Sequence, residues 1–420
     1  MTSSHDALYR AICAQPNEDT PRLMFADLIE EGGDQLRAQF IRTQVALAHV
    51  PVYDPAWVKA RLHEPDAATG WGMAHTLPKV PGGYSWQRFE FRRGFPWKVG
   101  VHSWAEFWNA GDAVFGIAPI QALDISAQDG DLSDFACWPH LDRIRKLDVS
   151  DGWNNELNII HLAESEYATG ITELAFEFDG LAPDGLRALA GSALFTRLTA
   201  LELRSVQLLP ALLADSLGAA REPGALSRLS LPFNRIERDT AEHLFALPVM
   251  HGLQHLDLSD NKRLGVEGVT ALAESGVVRG LRILNLSNTK PGVPGMKALV
   301  ETGGLAGLRM LDLSDNGLGP VAMKVLAGCG GFRGLRVLNL TSNPVGDAGA
   351  TALAGNRSLA GLLELDLRDA DIHDAGAVAL AESPHVDNLL RLDLRNSDNR
   401  SLGGAAREAL AERFGDRVRL

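Results

Sequence analysis

The feature that most limits what this chain can fold into is an internal repeat. The hexapeptide LDLSDN stands at Leu256 to Asn261 and again at Leu311 to Asn316, and LNLSNT begins between them at Leu284. The period is therefore 28 and then 27 residues, too long for one helix and too short for one domain. Aligned on L-x-x-L-x-L-x-x-N, the first apolar position falls at Ile120, Ile144, Ile171, Leu198, Leu226, Leu253, Leu281, Leu308, Leu335, Leu362 and Leu389, with every step 27 or 28 after a first of 24. Apolar residues at the first, fourth and sixth positions predict a short strand whose alternate side chains enter a core. The ninth position is Asn234, Asn261, Asn316 and Asn343 in four repeats, where an amide can bond neighbouring turns; Asp179, Val206, Thr289, Ala370 and Ser397 interrupt that ladder.

Behind each strand, segments such as GVEGVTALAES and GDAGATALAG carry apolar residues at three- and four-residue spacing, one face of a helix. Gly252, Gly280, Gly307, Gly334 and Gly361 precede the next strand, and a turn through positive φ is the expected reason. Strand, helix and glycine turn at this period predict an α/β solenoid: a curved parallel sheet of about eleven strands inside and helices outside. The pattern resembles the ribonuclease-inhibitor-like class of leucine-rich repeats over roughly residues 120 to 415. A length of 420 residues then implies no large single core, because each repeat contacts mainly its neighbours.

The ends of such an array need closing. AAREALAERFGDRVRL predicts a last helix, a stop at Gly415 and a closing strand. FPWKVGV and SWAEFWNAGDAVF predict a divergent first strand and helix, with Trp97, Trp104 and Trp108 as an aromatic cap or, alternatively, a ligand-binding cluster. Upstream, Pro21 and Thr20 fit a helix start, Gly32 and Gly33 a stop, and Asp34 the cap of the next helix. The string PRLMFADLIEEGGDQLRAQFIRTQ is similar to the repeat-companion domain of many bacterial leucine-rich-repeat proteins, with Leu28 where that family often has Trp. The resemblance implies a small all-α partner of the repeats and no reaction. Asp27, Glu30, Asp34 and Arg37 fit helical ion pairs better than an acid-base centre. The expected organisation is thus a helical domain at 1–48, a Pro/Gly/Trp-rich insertion at 49–96, a cap repeat at 97–119 and the array with its C-terminal cap at 120–420.

Composition narrows function. Of 53 acids and 40 bases, residues 120–420 hold 40 and 29, a net of −11, which argues against nucleic acid as a partner. The basic-aromatic patch of Arg88, Arg92 and Arg93 with Phe89 and Phe91 is expected to pair with the protein's own carboxylates. No secretory signal or apolar run of membrane-spanning length is visible, and Cys13, Cys137 and Cys329 match no metal or redox spacing, so a cytoplasmic protein is expected. No phosphate-binding loop or nucleophile elbow occurs, and His251 and His255 flank a strand start rather than share a helix face. Hence no enzyme, cofactor or metal is expected.

The face left for function is the concave sheet, where third, fifth and seventh positions point outward. The third positions of consecutive repeats are Arg228, His255, Ile283, Met310, Val337, Glu364 and Arg391, so three apolar side chains stand together inside a polar rim. Seven of eleven fifth positions are acidic, including Asp257, Asp312, Asp366 and Asp393, with Asn285 and Asn339 between. Arg368 and Arg395 occupy seventh positions. These residues form the expected surface for a protein or peptide partner, one with a basic patch fitting the acidic row, with no membrane role; carboxylates that merely solvate the sheet are the competing account. Two other roles stay open: regulation of a GTPase or other NTPase, which the repeat-class resemblance implies, and binding through the N-terminal domain and insertion with passive repeats.

Overall fold

The computed structural model describes residues 2–63, 77–82, 84–86, 90–111, 113–126, 132–150, 156–177, 181–206, 209–220, 224–328, 330–397 and 402–420. Trp71, Arg88, Phe89, Trp153, Asp179 and Cys329 lie outside them. The chain divides into two compact units, Met1–Glu202 and Leu203–Leu420.

The first unit opens with helices α1 (Thr2–Ala14), α2 (Thr20–Glu31) and α3 (Gln35–Leu47). Their core is Ile12, Phe25, Ala26, Ile29, Ala38 and Ile41, closed by Phe95. Gly33, at φ 95°, reverses the chain after α2, and Asp34 caps α3 by accepting from Arg37 N at 3.2 Å. Thr20 is the first residue of α2 rather than its cap; Asp19 precedes it without a side-chain cap bond. The ion pairs bridge helices instead of running along one. Arg42 of α3 donates to Asp27 and Glu30 of α2, each at 2.7 Å.

A hairpin, β2 (Phe91–Arg92) with β3 (Phe95–Pro96), rests on α3 through Gly94. A Cβ there would lie 2.6 Å from Ile41 Cα, and φ is +83°, so only glycine permits the approach that lets Gly94 N donate to Gln44 Oε1 at 2.9 Å. The unit's main sheet begins with β1 (Tyr84–Ser85), antiparallel to β4 (Lys98–Val101); β5 (Ala122–Ile125), β6 (Lys146–Ser150) and β7 (Glu173–Glu177) then follow in parallel. Trp97 and Trp104 are buried, whereas Trp108 is 49% exposed. Arg92 stacks on Trp97 and meets Glu173 at 3.4 Å, and Arg93 meets Asp19 at 3.3 Å, so both described arginines of the basic patch face the chain's own carboxylates.

The boundary between the units falls inside β8 (Ala200–Arg204). The second unit holds β9 (Arg228–Ser230), β10 (His255–Asp257), β11 (Ile283–Asn285), β12 (Met310–Asp312), β13 (Val337–Asn339), β14 (Glu364–Asp366), β15 (Arg391–Asp393) and β16 (Val418–Arg419), each parallel to the next. Helices such as Gly265–Glu274 and Gly346–Ala354 lie between strands and bury one face. The eleven strands expected from the repeat are β5 to β15; β1, β4 and β16 bring the described total in the long sheet to fourteen. At the C-terminus the expected closure is present: helix Gly404–Phe414, Gly415 at φ +54°, and β16.

The glycines before the strands differ from expectation. Gly252, Gly280, Gly307, Gly334 and Gly361 do not adopt positive φ; that conformation belongs to Asp260, Asn288, Asp315, Ser342 and Asp369 just after the strands. Short polar side chains tolerate the left-handed region by bonding locally. The pre-strand glycines serve close stacking instead. A Cβ on Gly334 would fall 1.7 Å from Arg309 Nη1, and one on Gly361 2.3 Å from Arg336 Nη1. The room is used: Arg282 donates to Gly307 O at 3.0 Å and Arg336 to Gly361 O at 2.6 Å.

Candidate functional site

Backbone register sets the candidate site. Arg228, His255, Ile283, Met310, Val337, Glu364 and Arg391 pair strand to strand, so the third positions form one row across β9 to β15. Adjacent members are about 4.8 Å apart, close enough for the apolar three to touch a single ligand side chain. Their exposure is less even than their register. Ile283 and Met310 are half-buried, but Val337 is 9% exposed and Glu364 5%. The short branched valine sits between longer neighbours, so the accessible apolar surface is Ile283 and Met310 rather than the expected three.

The fifth-position row has a structural task. Asp257, Asn285, Asp312 and Asn339 each accept through Oδ1 from the backbone N–H two residues on, at 2.9, 2.9, 2.9 and 3.0 Å. Asp366 and Asp393 do the same for Arg368 N and Arg395 N, at 3.2 and 3.3 Å. An acceptor two atoms beyond Cβ satisfies the N–H where the strand ends, and Asp and Asn both supply one. Sideways bonds join the row: Asn339 Nδ2 donates to Asp312 Oδ2 at 2.8 Å and Thr341 Oγ1 to Asp366 Oδ1 at 2.9 Å. This explains why the position is acidic or amide; the charge itself is left over.

That charge is balanced differently along the sheets. In the first unit Lys98, 4% exposed at its side chain, collects Glu90 at 3.5 Å, Asp124 at 3.2 Å and Asp148. Burial alone would lower the lysine's pKa, but the three carboxylates outweigh it and raise it. In the second unit Asp393, with a fully buried side chain, accepts from Arg391 at 2.6 Å and from Arg395 at 2.9 and 2.7 Å. Burial pushes its carboxyl up, yet the guanidinium bonds prevail and hold it at about 2. Arg368 grips Asp366 at 2.8 Å, and Arg391 meets Glu364 at 3.5 Å. Asp257 and Asp312 between these clusters accept hydrogen bonds but make no salt bridge among the described residues.

His255 is pushed down to about 4, first by burial and then by neighbouring Arg228, against the pull of Asp257. The native imidazole is neutral, whereas the unfolded one takes a proton near its ordinary 6.5. Between pH 6.5 and 4 the unfolded state therefore binds more protons, and folding stability falls as the pH drops. We expect a loss of about 2 kcal/mol from this group between pH 7 and 4.5. Urea midpoints of wild type and His255→Gln at both pH values check it; an identical drop in the variant would remove His255 as the cause.

Among the described residues no cluster of three or more His, Cys, Asp or Glu could hold a metal, and no helix is long and apolar enough to cross a membrane.

Comparison with family models agrees with the repeat spacing. The family model described as Leucine Rich repeat matches residues 250–273, 308–327, 335–354 and 362–381, so this C-terminal region is an array of leucine-rich repeats. Among solved structures the chain is similar to one from the yeast Rad7 and Elc1 complex, at 17% identity over 68% of this chain and 79% of that one, with a TM-score of 0.44. It is also similar to an internalin from Listeria monocytogenes, at 16% identity over 56% of this chain and 59% of that one, with a TM-score of 0.33. No curated protein sequence matches the chain significantly.

Proposed function

We propose that this chain is a protein-interaction scaffold that takes a protein or peptide partner on the concave face of its repeats, centred on Ile283 and Met310. The observation that carries the reading is the register of the row: two half-buried apolar side chains on adjacent strands, flanked by His255 and Asp257 on one side and by the Arg368, Arg391 and Arg395 cluster on the other. An apolar centre within a charged rim is the build of a binding hot spot. The finer assignments belong to the same proposal: a bacterial, cytoplasmic protein with ribonuclease-inhibitor-like repeats, a repeat-companion domain at its N-terminus, and no reaction or cofactor of its own.

The test begins with affinity capture from the native lysate and mass spectrometry, followed by titration of the captured partner against wild type and Met310→Glu. The variant places an unpaired charge at the centre of the row and should weaken binding about 30-fold, equivalent to roughly 2 kcal/mol. Because Met310 is half-buried, a folding cost of about 1 kcal/mol should accompany it. Unchanged affinity would move the site elsewhere, first to the groove of about 600 Å³ between helices Arg238–Phe245 and Gly265–Glu274, floored by Phe245, Val266 and Ala271.

A further inference from the structure

Resting on that reading, we propose the chemistry of the occupant: an extended peptide segment with a basic residue, an apolar residue and a carboxylate in that spatial order, spread over about seven residues. The apolar side chain sits on Ile283 and Met310, the basic one over Asp257, and the carboxylate on the outward edges of Arg368 and Arg395.

The carboxylate end rests on how the arginine cluster is buried. Glu364, Asp366 and Asp393 oppose Arg368, Arg391 and Arg395, so the six formal charges cancel. Their exposures do not. The acid side chains are 7%, 11% and 0% exposed, whereas Arg368 and Arg395 are 40% and 47%. A ligand therefore meets guanidinium while the balancing carboxylates lie underneath. Both groups are already pinned: Arg368 Nε and Nη2 hold Asp366 at 2.9 and 2.8 Å, and Arg395 Nε and Nη2 hold Asp393 at 2.9 and 2.7 Å. Among the described residues no acceptor bonds Nη1 of either. Pinning a flexible arginine before the ligand arrives lowers the ordering cost of binding. Because the cluster is neutral overall, a single negative charge suits it better than a phosphate dianion, which would be repelled by Asp366 and Asp393.

At the other end, Asp257 accepts only neutral hydrogen bonds, from Ser259 N and Ser230 Oγ, and makes no salt bridge among the described residues, which favours a cation there. The spacing follows from the sheet. β10 to β12 is two strand spacings, about 10 Å, and β12 to the β14–β15 pair about 12 Å, each three to four residues of extended chain.

Selection of a random 12-residue peptide library on the full-length protein tests this. We expect enrichment of peptides with a basic and an acidic residue on opposite sides of an apolar one. For a representative winner, changing its acid to the amide should cost about tenfold in affinity on wild type and less than twofold on the double variant Arg368→Lys, Arg395→Lys. Lysine keeps charge over the buried carboxylates while withdrawing the outward guanidinium nitrogens. Peptides that need Met310 yet show no acidic preference, or an equal loss on the double variant, would overturn the inference and leave the concave-face reading standing. No enrichment, or winners indifferent to Met310→Glu, would overturn both.

Discussion

Replacing Asn316 by alanine is expected to lower folding stability by about 3 kcal/mol. The side chain, 5% exposed, makes four bonds: Oδ1 accepts from Thr289 N and Lys290 N at 2.9 and 2.8 Å, while Nδ2 donates to Leu286 O and Leu313 O at 2.8 and 2.9 Å. Three of these partners belong to the preceding repeat's turn and one to its own, so the amide holds two turns at once. Each bond contributes about 1 kcal/mol net, and deletion also strands buried backbone groups whose desolvation is no longer offset. Asn316→Asp should be nearly as damaging, because a carboxylate would face two carbonyl oxygens. Urea unfolding followed by circular dichroism measures both. A loss below 1 kcal/mol for the alanine variant would show that strand pairing and core leucines hold the turns without the ladder.

Asp393→Asn should cost about 3 kcal/mol, since breaking a buried ion pair leaves charge without its partner. The lower end of the usual range applies because Arg395 can turn to solvent and Arg391 keeps Glu364 at 3.5 Å. The same carboxylate predicts an acid dependence. Its folded pKa is depressed to about 2 from 3.8, so its contribution is fully present above 3.8 and is lost as the pH falls through 2. About 2 kcal/mol should disappear across that window in wild type and not in Asp393→Asn. The window lies below that of His255, so acid unfolding should weaken the protein in two separable steps. A variant whose stability fell as steeply as wild type between pH 4 and 2 would place the titrating group elsewhere.

The repeat period, the strand registers, the helices and the C-terminal closure were legible because each rests on local pattern: leucines at fixed spacing, a helical stripe, a glycine stop. Asp34 as a cap is equally local. The Asn ladder was legible too, although Thr289 shows how an interruption works: its hydroxyl, fully buried, donates to Leu286 O of its own turn and does not reach the preceding repeat.

The sequence by itself determined which side chains share a row, because the parallel register copies the repeat spacing from strand to strand. What only the tertiary structure decided was how deep each one sits and with whom it pairs. Val337 and Met310 occupy the same repeat position, yet the first is buried and the second is half-buried. Asp312 and Asp393 are both fifth-position acids; one accepts neutral bonds and the other lies beneath two guanidiniums. The pre-strand glycines answer to an arginine one repeat away rather than to their own φ. For the glycines and for Asp312 the deciding neighbour lies one repeat away, an arginine 25 residues distant in the one case and Asn339 in the other, whereas Asp393 is paired by arginines two positions away in its own repeat. Burial depends on the lengths of the side chains on both neighbouring strands at once, which no pattern within a single repeat records.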